Sequence, residues 1–357
     1  MAYSGTVGQT VVTVQNFIDQ GARLSGKLAE ELTVEQVQAS KQALFFVLSN
    51  LINQGINYWA ISEQVYGLQP NQFEYALPLG GVDVLNALYR TMTRQNGSYS
   101  ASDGSGVSNI YDSNTSTYNQ MTVANGSYSV FYGTSNPLYI GSIGFMPYIA
   151  NNGSAVWNYY LQSSPDGTTW TTLYTGTNVA VKNGQWVFSN IDPGANVPYY
   201  RMQAFGGTTL ALYELYFGNN STEITMARLN RDDYTNLPNK NFTANQPYQY
   251  WFNRQIPQSQ ITLWPTPSNA FVQMTIWYSR QIQDVGDLSG QLEIPQRWNQ
   301  AIQFLLGHQM SMILPSVQLQ RISYLEAQAE KYFLMAENEE RDKSPIYFAP
   351  NIGVYTK

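Results

Sequence analysis

The sequence predicts an α+β protein: a body of helices with a small β-sheet, into which an all-β sandwich is inserted. Three observations lead there. Apolar residues recur at helical spacing only toward the two chain ends, and strand-like alternation fills the stretches between them. Residues 96–222 are almost free of charge, with five acids (Asp103, Asp112, Asp166, Asp192, Glu214) and two bases (Lys182, Arg201). The same block concentrates 14 of the 27 tyrosines and 15 of the 27 glycines, a composition suited to short strands and tight turns. The division expected is therefore 1–95 (first half of the body), 96–222 (sandwich), 223–343 (second half) and 344–357 (an extended C-terminal arm).

The first half opens with a short helix over residues 9–22, its apolar side marked by Val14, Phe17 and Ile18. A longer helix spans 33–54. Thr33 and Gln36 are spaced as a capping box, Val37, Leu44, Leu48, Leu51 and Ile52 recur at helical intervals, and Gly55 supplies the stop. Its middle is apolar nearly all round, so this helix is expected to be largely buried, or buried on one side by a neighbouring subunit. Alternating aromatic segments at 58–64, 72–76 and 82–92 read as a meander of strands. Within the sandwich, residues 127–132, 138–145 and 186–189 alternate as strands between Asn/Gly/Ser turns.

After the sandwich come a strand at 223–229, a helical turn at 230–237, and strands at 248–253, 260–264 and 271–278. Pro265 and Pro267 cut one strand short, since neither can donate to a ladder. Pro295 opens a helix faced by Trp298, Ile302, Leu305, Leu306 and Met312, and Pro315 breaks it. Ile322, Leu325, Ala329, Tyr332, Phe333 and Ala336 mark the last helix, which runs into an exposed charge run at 337–343. The arm beyond is apolar, and Ile346, Tyr347, Phe348, Ile352, Val354 and Tyr355 are expected to lie on a partner chain, because exposed on a monomer they would be a liability.

Composition excludes several classes. The chain has no cysteine, hence neither disulfides nor thiolate metal sites. A formal charge of −6 argues against gripping nucleic acid through its phosphates. The first residues carry no secretory pattern, and no segment is long and apolar enough to span a membrane.

The flanks carry a resemblance. The buried helix followed by Gly55-Ile-Asn-Tyr-Trp59, then Leu77-Pro-Leu-Gly-Gly-Val-Asp83, then Leu229-Asn-Arg-Asp-Asp-Tyr-Thr-Asn-Leu-Pro-Asn-Lys240 stand in a specific order. They continue with Gln246-Pro-Tyr-Gln-Tyr-Trp-Phe-Asn-Arg-Gln255, Leu263-Trp-Pro-Thr-Pro267, the strand 272–284 and Glu293-Ile-Pro-Gln-Arg-Trp298. This ordered set resembles the head-to-tail adaptor (tail tubular) proteins of short-tailed phages. The resemblance implies a structural virion protein assembled in the host cytoplasm. It would form a ring of twelve copies between the portal and the tail nozzle or tube, around a channel through which viral DNA passes without sequence-specific binding. The sandwich is a departure from that family, hung on Asn96-Gly-Ser and Asn219-Asn-Ser-Thr as flexible hinges.

The sandwich carries a second resemblance. Ile110-Tyr-Asp-Ser-Asn-Thr-Ser-Thr-Tyr118, Tyr160-Leu-Gln-Ser-Ser-Pro-Asp-Gly-Thr-Thr-Trp170, and Tyr199-Tyr-Arg-Met202 with Leu210-Ala-Leu-Tyr-Glu-Leu-Tyr-Phe217 resemble the discoidin (factor 5/8 type C) jelly-roll and the family-32 carbohydrate-binding modules. The resemblance implies a structural calcium held by Asp112, Asn114, Thr117 and Glu214, all hard oxygen donors. The residues themselves also allow a plain Asx-turn at Asp112. Neutral polar and aromatic side chains suit glycans, with Tyr111 and Tyr118 near loop ends as the candidate stacking residues. Trp157 and Trp170 are expected to be packing residues. Tail fibres or host glycans are the partners implied for this part.

No catalytic constellation is marked. The single histidine, His308, has no nucleophile near it in sequence and is expected to be a packed or interface residue. Asp232-Asp233 reads as a helix start. A non-enzymatic adaptor is expected, and a carbohydrate-binding adhesin without an assembly role is the alternative.

Overall fold

The computed structural model describes residues 10–53, 58–102, 107–122, 127–205, 209–268 and 272–340. Gly55 and the six apolar residues of the arm (Ile346, Tyr347, Phe348, Ile352, Val354, Tyr355) lie outside the described residues. The chain forms two compact units, Met1–Ser62 with Ser279–Lys357, and Glu63–Tyr278.

The first unit is helical. Helix α1 (Val14–Ser25) starts where Thr13 accepts the Asn16 N–H and ends on Gly26, whose φ of 91° lets its N–H reach back to Ala22 and Arg23. Helix α2 (Val34–Asn53) begins with the expected capping box. The Thr33 N–H donates to Gln36 Oε1 at 3.0 Å, and the Gln36 N–H donates to Thr33 Oγ1 at 3.3 Å. Phe17, Ile18, Leu44, Leu48, Trp298, Ile302, Leu306 and Met310 form one core with α4 (Asn299–Ile313) and α5 (Leu319–Glu339).

Helix α2 buries Ala43, Leu44, Val47, Leu48 and Leu51, while Phe46, 66% exposed, lies on the side expected to meet a neighbouring subunit. Two expectations are corrected here. Met312 faces solvent, and Met310 takes the core position instead. The reason is a close crossing of α1 and α4 at two glycines: a Cβ on Gly21 would meet Met310 Sδ at 2.6 Å, and one on Gly307 would meet Leu24 Cβ at 3.1 Å. Glu340, inside the expected exposed run, is buried against Arg297 and Trp298.

The second unit is β-rich. Its strands in chain order are β1 (Ile61–Gly67), β2 (Glu74–Ala76), β3 (Gly81–Arg94), β4 (Ser98–Ala101), β5 (Asn119–Thr122), β6 (Ser127–Leu138), β7 (Ser142–Pro147), β8 (Ser154–Ser164) and β9 (Thr171–Lys182). They continue as β10 (Val187–Asn190), β11 (Val197–Phe205), β12 (Thr209–Thr225), β13 (Ala227–Leu229), β14 (Thr243–Ala244), β15 (Gln249–Asn253), β16 (Gln260–Trp264), β17 (Thr266–Pro267) and β18 (Val272–Arg280). A short helix, α3 (Arg231–Thr235), is capped by the Asn230 side chain and has Asp232 and Asp233 in its first turn.

One sheet runs β1-β18-β3-β12-β7-β10, with β5 also on β12. A second runs β4-β6-β11-β8-β9, a third β13-β15-β16-β2, and a small fourth pairs β14 with β17. Val130, Tyr132, Tyr159, Leu161, Tyr200 and Met202 of the second sheet meet Ile143, Phe145, Leu212, Leu215 and Phe217 of the first, which makes the sandwich core. Leu77, Tyr89, Tyr250, Ile261, Met274 and Ile276 form a separate core in this unit.

Of the two expected hinges, the second is strand. Strand β12 passes straight through Asn219 and Asn220, which pair with Thr93 and Met92 of β3. Asn and Ser have low strand propensity, yet the ladder continues because both neighbouring segments are already strands of one sheet. Gln69 and Gln273 add side-chain bonds across the same region, to Trp186 and to Ser142 and Asn190.

Candidate functional site

The loop 111–118, between a 3-10 turn at Ser108–Ile110 and β5, brings together most of the residues the sequence singles out. Asp112 is a turn-former in it: Oδ1 accepts the Asn114 N–H at 2.8 Å and Oδ2 accepts the Thr117 hydroxyl at 2.9 Å. Asn114 repeats the device, its Oδ1 accepting the Ser116 N–H at 3.1 Å. Arg94, at the end of β3, reaches the loop. It donates to Ser113 Oγ at 2.9 Å and to the Tyr111 carbonyl, with its guanidinium 4.0 Å from the Tyr216 ring centroid.

Glu214 sits beneath this loop on β12. A β-bulge between Leu212 and Glu214, relative to β7, shifts the side-chain alternation. Leu212, Leu215 and Phe217 can then all face the core, while Glu214 and Tyr216 face the opposite side of the sheet. Glu214 is fully buried, and neither carboxylate oxygen has a hydrogen-bond partner among the described residues. Burial pushes its carboxyl up to about 7; the Asp112 charge adds to the rise, and Tyr216 and Arg94 oppose it. Asp112 and Glu214, distant in sequence, are therefore electrostatic neighbours.

A hard divalent cation fits this donor set, because it would satisfy two buried oxygens that no described residue satisfies. Glu214 would be the principal holder and Asp112 the second carboxylate, with Asn114 and Thr117 on the loop above. No cluster of three or more His, Cys, Asp or Glu occurs among the described residues, so backbone carbonyls or water would complete the shell.

The two candidate stacking tyrosines are both at the surface, and each has one ring face covered by another tyrosine. Tyr111 lies parallel to Tyr99 at 4.7 Å between centroids. Tyr118, 38% exposed, lies on Tyr148 at 3.7 Å with planes 4° apart. Tyr213, the bulge residue, stands edge-on to Tyr118 and Tyr148. Motif and spacing do not single out Tyr148 or Tyr213. The one signal for Tyr213 is that Leu212, Leu215 and Phe217 cannot share a face without an extra residue between them.

No protein-family model matches this chain, and no curated protein matches it. Carbohydrate-binding modules are among the solved structures similar to part of it. A chitosan-binding module from a chitosanase/glucanase of Paenibacillus sp. IK-5 is 19% identical and covers 35% of this chain and 95% of its own, with a TM-score of 0.29. A family-32 module of Clostridium perfringens in complex with GalNAc-β-1,3-galactose is 12% identical and covers 44% of this chain and 94% of its own, with a TM-score of 0.27. A family-32 module in complex with 4,5-unsaturated mannuronic acid is 14% identical over 38% and 96%, with a TM-score of 0.28.

The expected packing tryptophans separate in the structure. Trp157 packs against the sandwich core, stacked on Phe145, whereas Trp170 lies outside that core over Arg201 and Phe131. In the helical unit, His308 lines a groove of about 670 Å³ between α2, α4 and α5, with Phe46, Asn50, Leu305, Glu326 and Glu330. None of its lining residues forms a nucleophile–base pair with it.

Proposed function

We propose that this chain is a structural, non-catalytic protein whose sandwich binds glycan and whose helical unit assembles copies of the chain. The observation that carries the glycan part is the Tyr118–Tyr148 stack. A ring held flat by a second ring beneath it loses little freedom on binding, and its free face suits the apolar face of a sugar. Calcium at Glu214 and Asp112 would fix the loop that ends in Tyr118, a structural role rather than a chemical one.

For the whole chain we propose the head-to-tail adaptor role. The support is the ordered set of motifs in the flanks, together with exposed apolar side chains on the helical unit: Phe45 and Phe46 on α2, Leu334 and Met335 on α5. Left wet in a monomer these would promote association, and in a ring they would be covered. The partners proposed are further copies of the chain, twelve in the family's ring, a portal protein and a tail nozzle or tube protein, in a virion. The sandwich would meet host glycan or tail fibres.

Light scattering and negative-stain imaging of the purified chain test the assembly half: rings, alone or with a portal, support it, and a monomer in both conditions removes it. A glycan array with and without calcium tests the sandwich. Binding by a chain that never assembles would favour the second reading, a carbohydrate-binding adhesin, for which the Tyr118 platform alone suffices.

A further inference from the structure

The outer face of the β4-β6-β11-β8-β9 sheet holds an arginine that pairs with no acid among the described residues. Strand register sets five positions in one row across it: Ser100, Phe131, Arg201, Gln162 and Thr172. All five point away from the core, which takes their neighbours Val130, Tyr132, Tyr200, Met202 and Leu161.

Arg201 is held rigidly in this row. Its guanidinium lies 4.3 Å from the Trp170 ring centroid, and its Nε donates to Gln162 Oε1 at 2.6 Å. Gln162 is held in turn, donating Nε2 to Thr172 Oγ1 at 2.9 Å. Trp170 also packs on Phe131, with centroids 5.7 Å apart. Arg201 takes part in no ion pair among the described residues. The acid of the adjoining hairpin, Asp166, is already engaged: Thr168 and Thr169 N–H groups, the Thr169 hydroxyl and the Ser164 hydroxyl all donate to it.

A half-buried guanidinium without a counterion carries a desolvation cost, and burial pulls its pKa below the ordinary arginine value. Every other arrangement on this face lowers that cost only in part. Stacking on Trp170 fixes the plane, and the bond to Gln162 fixes the Nε edge. The terminal nitrogens remain as a preoriented pair of donors, a geometry that matches a planar carboxylate. Around them the face is neutral, with hydroxyls and amides from Ser100, Thr172 and Gln203 and rings from Tyr199 and Tyr160. That mixture suits a sugar bearing one acidic group better than a run of acidic side chains.

We propose that the Arg201–Trp170 face is a second saccharide site that selects a carboxylate-bearing sugar, a uronate. It lies on the opposite sheet from the Tyr118 stack, and it rests on the glycan-binding reading of the sandwich.

The test is calorimetry on the full chain with polygalacturonate, its methyl ester, neutral galactan, dextran sulfate and an acidic peptide. Polygalacturonate should bind about ten-fold more tightly than its methyl ester, the contribution of a bidentate charge-assisted pair. Arg201→Gln should abolish that preference, Arg201→Lys should lose most of it while keeping the charge, and Trp170→Ala should weaken binding of both polymers. Thermal unfolding of each variant separates lost recognition from lost structure, and the lysine variant keeps the test open if the glutamine variant unfolds. Equal binding of acid and ester, a preference that survives in Arg201→Gln, or equal binding of dextran sulfate or the acidic peptide overturns the proposal. Binding of neutral galactan without any carboxylate preference sinks this site and leaves glycan binding standing. No binding of any polysaccharide removes both.

Discussion

The side chain of Gln69 holds both backbone groups of Trp186, accepting its N–H at Oε1 (2.8 Å) and donating Nε2 to its carbonyl (2.9 Å). An amide side chain here imitates a β-ladder partner, and it does so across 117 positions of sequence. It fastens the start of β10, a sandwich strand, to the connection after β1. Together with the β3–β12 ladder, which continues past a bulge between Asn220 and Thr222, it makes the sandwich part of one β unit.

Gln69→Ala should therefore destabilise the chain by about 1–3 kcal/mol, since it strands two backbone groups of a buried residue. Denaturant unfolding gives the value. Amides of residues 91–94 and 218–222 should exchange with solvent as slowly as the sandwich core; rapid exchange there would restore the hinge picture.

Glu214 sets a pH dependence whose sign follows from its raised pKa. The folded state favours the protonated carboxyl, so this group's contribution is fully present below the unfolded value near 4.5 and is lost as pH rises through about 7. Without calcium, stability should fall over that window by roughly 2–4 kcal/mol. Glu214→Gln should flatten the profile. Calcium should raise the melting temperature of the parent chain at neutral pH and leave the variant unchanged. A calcium response retained by Glu214→Gln would take this residue out of the metal site.

Tyr118→Ala removes the outer ring of the stack and leaves Tyr148 exposed. Glycan binding at this end of the sandwich should weaken about ten-fold, with stability altered by under about 1 kcal/mol, because the ring is at the surface. Tyr148→Ala should reduce binding as well, by leaving Tyr118 without its support. An array on which both variants match the parent would clear these tyrosines of a role.

Arg297 and Glu340 test the helical unit. Glu340 is buried, bound through Oε2 to Arg297 Nε at 2.7 Å and to Trp298 Nε1 at 3.3 Å. Arg297→Met should cost about 1–3 kcal/mol, discounted because the arginine is half exposed. Adding Glu340→Gln should recover part of the loss, and a double-mutant cycle on urea unfolding measures the coupling.

The start of α2 is legible in the sequence, because the Thr33–Gln36 capping box rests on local chemistry, which needs no knowledge of distant residues. Pro295 instead precedes a 3-10 turn at Gln296–Trp298, and α4 starts at Asn299. Also legible is the Asp166-Gly167 turn, where Gly167 takes a φ of 75°. Its span is not. It occupies the whole connection from Ser164 to Thr171, because Asp166 gathers two N–H groups and two hydroxyls around itself. The loop of Asp112, Asn114 and Thr117 is likewise found from its motif, and its internal bonds follow from spacing alone.

By itself, then, the sequence determined the local elements, the charge-poor β character of residues 96–222 and the concentration of helices toward the chain ends, since each depends on residues a few positions apart. Tertiary structure alone decided the rest. It buried Glu214 beside Asp112 by inserting Tyr213 as a bulge, ran the β3–β12 ladder through one expected hinge, and turned Met310 inward at the glycine crossing of α1 and α4. It also left Arg201 on an outer sheet face with no acid partner among the described residues. Each of these depends on which distant surfaces meet, a question of packing and desolvation that no short stretch of sequence encodes.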